Sequence, residues 1–166
     1  MSQLEILAYN RIVRKLGRSA DAFLEALGNV LTLSRTDNPV PQKAGDVCFY
    51  LDGVWYAASL PETTRTNVSD TLDVARLSEH VLEPLLNIVD QRTDPNIYFV
   101  GGIRGTSELE KLVNNGEAEL AISMYPTQIE ELVAVSDAGL LMPPKSTWFE
   151  PKLRSGLLVH LFDSWH

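Results

Sequence analysis

The dipeptide Asp52-Gly53 constrains this chain more than any other pair of residues. It separates Asp46 to Leu51 from Val54 to Leu60, two short segments that combine β-branched, aromatic and small apolar residues. A two-residue primed turn needs positive φ at both central positions, which Asp tolerates and Gly adopts freely. An antiparallel hairpin is therefore predicted, and any fold for the chain has to contain it. The breaker-rich run Thr36-Asp37-Asn38-Pro39-Val40-Pro41 precedes it and Pro61 to Ser69, a polar loop, follows.

Around this hairpin the first half reads as strand Leu4 to Tyr9, helix Arg18 to Leu27 with Ser19 as N-cap, and strand Val30 to Leu33. Beyond the 61–69 loop, taken as the subdomain junction, Val74, Leu77, Val81 and Leu85 keep roughly one helical face. Pro84 removes a backbone donor and collides with the preceding turn, which predicts a break near Leu82-Glu83. Asp90 to Asn96 is read as loop.

The second half alternates: strand Ile97 to Val100, helix Ser107 to Asn114, strand Ala118 to Met124, helix Gln128 to Asp137 and strand Leu157 to Phe162. Ser107 with Glu110, and Thr127 with Glu130, have capping-box spacing, and Gly116 and Gly139 supply stops. The whole is an α+β chain with an α/β-like second half and about four helices. The antiparallel hairpin and the β-α-β-α-β unit, whose crossovers favour parallel strands, together predict a mixed sheet. Residues 1–166 are read as a single domain, since a chain of this length supports one core.

Composition excludes several classes. Hydrophobic residues at 45% and charged residues at 22% are those of an ordinary folding domain, and no repeat interrupts them. A net charge of −8 opposes broad binding to nucleic acid or anionic membrane, so neither is expected as a partner. Cys48 is the sole cysteine, which rules out an internal disulfide and a cysteine-rich zinc site. With no leader pattern and no apolar run approaching about 18 residues, a cytoplasmic location is expected.

Two loops carry the chemistry. Val100-Gly101-Gly102-Ile103-Arg104-Gly105-Thr106-Ser107 leaves a strand, passes three glycines and enters a helix. Glycines allow close backbone approach, the first helical amides lack partners, and Arg104 adds a guanidinium, so the loop suits an anion. Its intervals match neither the dinucleotide fingerprint nor the P-loop, and a tight strand-to-helix turn with Arg104 solvated or paired explains it as well. Met142-Pro143-Pro144-Lys145-Ser146-Thr147-Trp148-Phe149-Glu150-Pro151-Lys152-Leu153-Arg154-Ser155-Gly156 is stiffened by prolines and is cationic within an acidic chain. Lys145-Ser146-Thr147 sets an ammonium beside two hydroxyls, a phosphate-compatible triplet, and Lys152 adds charge. The competing reading is a rigid crossing, anchored by Trp148 and Phe149, that covers the sheet. The anion-binding set is thus Gly101, Gly102, Arg104, Gly105, Lys145, Ser146, Thr147 and Lys152.

Isolated polar residues point to no catalysis. His80 has no second histidine at metal spacing and reads as a surface histidine, His160 as a hydrogen-bonded strand residue, and His166 as terminal. Cys48, between Val47 and Phe49, reads as a small core residue. Asp137-Ala138-Gly139 ends a helix. No triad assembles, no metal site is expected, and the cofactor is left open.

In order along the chain come Tyr9-Asn10-Arg11, Leu72-Asp73-Val74, Glu83-Pro84-Leu85-Leu86, Val100 to Gly105, Asp137-Ala138-Gly139 and Met142 to Leu153. With these motifs the chain resembles the C-terminal part of the prokaryotic domain-of-unknown-function family numbered 1015, sometimes labelled phosphoserine-aminotransferase-like. No pyridoxal-phosphate signature is visible. The resemblance implies a longer parent with an upstream Ala-Asp-Gly-His-His-Arg motif, similar to the equivalent segment of the ParB and sulfiredoxin-like superfamily, which includes serine kinases. This chain lacks that motif, so the catalytic candidate would lie in a missing N-terminal domain. The expected function is binding of a small phosphorylated or carboxylated metabolite, supporting phosphoryl transfer in the parent. The alternative is a non-enzymatic interaction module, including a homodimer.

Overall fold

The computed structural model describes residues 5–7, 9–66, 71–91, 93–101, 105–126, 131, 133, 134, 137 and 148–150, with backbone alone for 5–7 and 148–150. Strand β1 (Glu5–Leu7) leads into β2 (Tyr9–Val13), then α1 (Ala20–Val30), β3 (Ser34–Arg35), β4 (Asp46–Leu51) and β5 (Val54–Ser59). There follow α2 (Asp73–Leu77), a π-helical turn (Ser78–Leu82), α3 (Glu83–Leu86), β6 (Ile97–Gly101), α4 (Gly105–Asn114), β7 (Leu120–Met124) and β8 (Trp148–Glu150). The architecture is α+β: one six-stranded sheet in the order β3-β5-β4-β7-β2-β6, and a separate two-stranded ribbon of β1 and β8.

The hairpin forms as the turn chemistry dictates, with Asp52 at φ 51° and Gly53 at φ 80° between β4 and β5. The second half departs from expectation in one respect. Strands β6 and β7 do run in the same direction, as their strand–helix–strand rhythm implies, but β2 lies between them and pairs antiparallel with both. Every ladder among the described residues is therefore antiparallel, and the sheet there is not mixed. A crossover helix specifies direction, not adjacency, and the gap it leaves is filled by a strand more than eighty residues upstream.

The sheet buries both faces. Val13, Phe49 and Ile122 look toward α1, α2 and the π turn, whose Phe23, Leu27, Leu77 and Val81 complete the larger core. Ile12, Tyr50 and Ala121 look the other way, toward Leu109 of α4. The alternation along β2 thus assigns Val13 to one layer and Ile12 to the other.

Local caps explain the helix limits. Ser19 Oγ accepts the Ala22 amide at 3.2 Å, and α1 continues past Leu27 to Val30 because Leu27 and Leu31 both stay within the core. The predicted strand Val30 to Leu33 does not form: Val30 ends α1, and the two-residue β3 comes after it at Ser34–Arg35. Pro84 produces a change of helical pitch in place of a break. Its ring would strike the His80 carbonyl in a regular α-helix, and the chain widens instead into the π turn, where the Glu83 amide donates to the Ser78 carbonyl. Asn87, at φ 56°, then ends α3.

Helix α4 starts at Gly105, two residues before the expected Ser107 cap. With the helix starting there, Ser107 lies inside it and cannot be its N-cap, and Glu110 Oε2 accepts the indole N–H of Trp55 at 2.7 Å. Gly116, at φ 87°, follows the helix end as predicted. Trp148–Glu150, read from sequence as loop, is a strand, because β1 supplies it with a ladder partner. The Thr127–Glu130 box, most of Gln128 to Asp137, Gly139, His160, His166 and the strand Leu157 to Phe162 lie outside the described residues. No helix among those described is long and apolar enough to cross a membrane.

Candidate functional site

The carboxyl ends of β6 and β7 and the start of β2 meet at one end of the sheet. Gly101 closes β6 opposite Tyr9, and only residues 102–104 separate it from Gly105, where α4 begins at φ 72°, a conformation that favours glycine. The first-turn amides of a 10-residue helix, which have no partner within the helix, accordingly lie at this end. Strand β7 finishes beside it, with the Met124 amide donating to Asn10 Oδ1 at 2.9 Å.

The ribbon reaches the same end. Trp148 stands opposite Leu7, two residues before Tyr9, which stands opposite Gly101. At about 5 Å per ladder step and about 3.3 Å per residue, the backbones at 148 and 101 are within about 18 Å. Of the sequence-derived set, Gly101 and Gly105 are therefore placed at this end, whereas Gly102, Arg104, Lys145, Ser146, Thr147 and Lys152 lie outside the described residues. Lys145 to Thr147 immediately precede β8 in the chain.

Two charged groups beneath this rim escaped the sequence reading. Arg11, fully buried in β2, donates through Nε to Gln91 Oε1 at 3.3 Å and through Nη1 to the Tyr9 carbonyl, with its guanidinium 5.1 Å from the centre of the Phe99 ring. Burial pulls its pKa down to about 9, so it remains a cation at neutral pH. Asp73 opens α2 and accepts the Gly45 amide on both carboxylate oxygens, at 3.0 and 2.9 Å. Desolvation raises its pKa, and the Gly45 amide and Arg76 oppose that rise. Arg76 in turn donates to the carbonyls of Pro61 and Leu60, tying α2 to the end of the β5 segment. The available signal was two polar residues, Asn10 and Arg11, inside a run that alternation would bury on both sides.

His80 is less exposed than expected of a surface histidine. Its Nε2 donates to the Glu62 carbonyl at 3.0 Å and lies 3.5 Å from Glu79 Oε2. Glu79 also accepts from Thr63 Oγ1 at 2.6 Å, from Thr64 Oγ1 at 2.9 Å and from the Thr64 amide at 3.2 Å, so the π turn clasps the 62–65 loop. The Thr63 hydroxyl, foremost among these bonds, holds the Glu79 carboxyl down at about 2. A folded pKa below the ordinary value means stability that is present above about pH 4.5 and lost as pH falls toward 2. Glu79→Gln should therefore melt below the wild type at pH 6 and converge with it near pH 2. Parallel melting curves across that range would show that the clasp contributes nothing.

Cys48 is buried as the sequence implied, and burial with the nearby Asp46 charge pushes its thiol up to about 11, which leaves it a poor nucleophile at neutral pH. Among the described residues no group of three His, Cys, Asp or Glu side chains is arranged to hold a metal ion.

Comparison with known proteins agrees with this fold. The profile of a family described as a protein of unknown function (DUF1015) matches residues 1–75, the N-terminal part of this chain. That stretch holds Tyr9-Asn10-Arg11, Leu72-Asp73-Val74 and the hairpin. No curated protein matches. Among solved structures, a conserved hypothetical protein from Pyrococcus furiosus is similar at 13% identity and a TM-score of 0.53, over 88% of this chain and 56% of that one. A free serine kinase in complex with AMP is similar at 10% identity and a TM-score of 0.52, over 88% of this chain and 54% of that one. A variant of a free serine kinase in complex with ADP gives 10% identity and a TM-score of 0.50 over the same shares. At such identities the likeness is one of fold. The chain spans about half the length of these structures.

Proposed function

We propose that the chain supplies the anion-gripping part of a protein that binds a small phosphorylated or carboxylated metabolite and supports phosphoryl transfer in a longer cytoplasmic parent. The observation that carries this reading is the convergence at one end of the sheet of the Gly101 strand end, the α4 N-terminus and the β1–β8 ribbon. In it, Gly101, Gly102 and Gly105 bring backbone amides to the ligand, Arg104 adds a bidentate contact, and Lys145, Ser146, Thr147 and Lys152 close the opposite side. The shared fold with kinases crystallised with AMP and ADP supports a phosphate-bearing ligand. The parent's catalytic group sits in an N-terminal domain that this chain lacks, and the 61–69 loop is the internal junction.

A thermal-shift series with AMP, ADP, phosphoserine and sulfate tests the reading. Ligand at about ten times its Kd stabilises the native state by about 1.4 kcal/mol, a rise of a few degrees. The rise should vanish in Arg104→Ala and in Lys145→Ala. An unchanged melting temperature with all four compounds at about 10 mM, on the order of weak anion Kd values, would end the proposal.

A second reading has its own observation. The β1–β8 ribbon stands apart from the six-stranded sheet, and a two-stranded ribbon is marginal without a surface to rest on. In this reading Trp148 and Phe149 anchor a second copy or the missing N-terminal domain. Light scattering that reports a dimer for the wild type and a monomer for Trp148→Ala supports it, and a monomeric wild type removes the homodimer.

A further inference from the structure

On the α4-facing side of the sheet, near its β3 edge, a groove of about 510 Å³ runs beneath the 32–42 segment. The register explains why the floor is low. Ser34, Ala57 and Cys48 stand side by side on three adjacent strands, so a row of small side chains occupies positions where larger ones would fill the space. The volume falls within the range of small-molecule sites, about 300 to 1,000 Å³.

The wall of the groove is held in place by its own hydrogen bonds. Thr36 Oγ1 accepts the Asn38 amide at 3.0 Å, Asn38 Oδ1 accepts the Val40 amide at 3.1 Å, and Gln42 Nε2 donates to the Val40 carbonyl at 2.6 Å. A loop locked in this way loses little freedom on binding. Alternation along β3 turns Ser34 toward the floor and Arg35 away from it, and among the described residues no lysine or arginine lines the groove. Asp46 is the one charged side chain among the described residues that line it. Of its carboxylate oxygens, Oδ1 accepts the Ser59 hydroxyl at 3.1 Å, and no ion pair to Asp46 is formed among the described residues.

We propose that this groove is a second binding site, for a small organic cation with a short apolar body. The cationic head sits on Asp46 beside Ser59, and the body lies along Ala57 and Cys48 under Val40 and Pro41. The charge it selects is opposite to that selected at the Gly101–Gly105 end, so the two sites take different ligands and stand or fall separately.

The test uses three probes that share one apolar body: n-butylamine, butanol and butyrate, titrated into the whole chain and followed by ¹H–¹⁵N correlation spectra. Butylamine should shift the amides of Asn38, Asp46, Cys48 and Ser59 saturably, with butanol weaker and butyrate without effect. Asp46→Asn, which keeps the shape and an acceptor but not the charge, should weaken butylamine about tenfold. Ser34→Phe, at an exposed position, should block the floor while leaving the rest of the spectrum in place. Equal shifts from all three probes, no saturation with butylamine, or an unchanged affinity in Asp46→Asn would overturn the proposal.

Discussion

Arg11→Ala is expected to destabilise the fold by about 3–5 kcal/mol, the range of substitutions that combine a core void with stranded polar partners. The side chain is fully buried in β2, and its removal opens a space beside Phe99. It also leaves Gln91 Oε1 and the Tyr9 carbonyl without a donor they now have, at about 1–3 kcal/mol for each group that finds no substitute. Urea denaturation of the variant measures the difference directly. A loss below about 1 kcal/mol would show that these partners are satisfied as well without the guanidinium. Arg11→Lys should recover only part of the loss, because an ammonium cannot serve Gln91, Tyr9 and the Phe99 ring from one planar group. Since Tyr9 pairs with Gly101, loosening Arg11 should also weaken any ligand held at that end of the sheet.

Asp73 gives the second large effect, and two substitutions separate its contributions. Asp73→Ala removes both acceptors of the Gly45 amide and a carboxylate 3.7 Å from Arg76 Nη1, and should cost about 2–3 kcal/mol, the scale of a charge-assisted bond. Asp73→Asn retains one acceptor for Gly45 and should cost less than about 1 kcal/mol at neutral pH, because it also removes the burden of keeping a charge in a desolvated place. The pH dependence follows from the raised pKa. A carboxyl whose folded pKa lies above its ordinary value favours the native state when protonated, so this contribution is present in acid and is lost as pH rises through the folded value. The cost of Asp73→Asn relative to the wild type should accordingly shrink from pH 3 to pH 6, opposite in sign to the Glu79→Gln comparison. Denaturation midpoints of the wild type and the two variants at those pH values decide it, and equal costs for Ala and Asn would mean that the Gly45 contact carries no energy.

Both residues illustrate which parts of the site could be read in advance. The strand end at Gly101 and the helix start at Gly105 are legible because a strand pattern, glycines and a helix pattern are all local, and Gly105 adopts a positive φ. Nothing local reveals the roles of Arg11 and Asp73, since their partners Gln91 and Gly45 lie 80 and 28 residues away in sequence. The box between Ser107 and Glu110 has the right spacing, but α4 starts two residues earlier, and Glu110 accepts from Trp55, 55 residues upstream.

Local chemistry alone determined the Asp52-Gly53 hairpin, the Ser19 cap, the Gly116 stop, the composition of an acidic folding domain and the direction of β6 relative to β7, because each depends on neighbours within a few residues or on bulk charge. Only the tertiary structure decided that β2 enters between β6 and β7, that Pro84 is absorbed by a π turn, that Trp148–Glu150 pairs with Glu5–Leu7, and that small side chains line up into a groove beside Asp46. Those outcomes rest on pairings between strands far apart in the chain, where many partners satisfy the same backbone groups and the choice is made by what the whole core can bury.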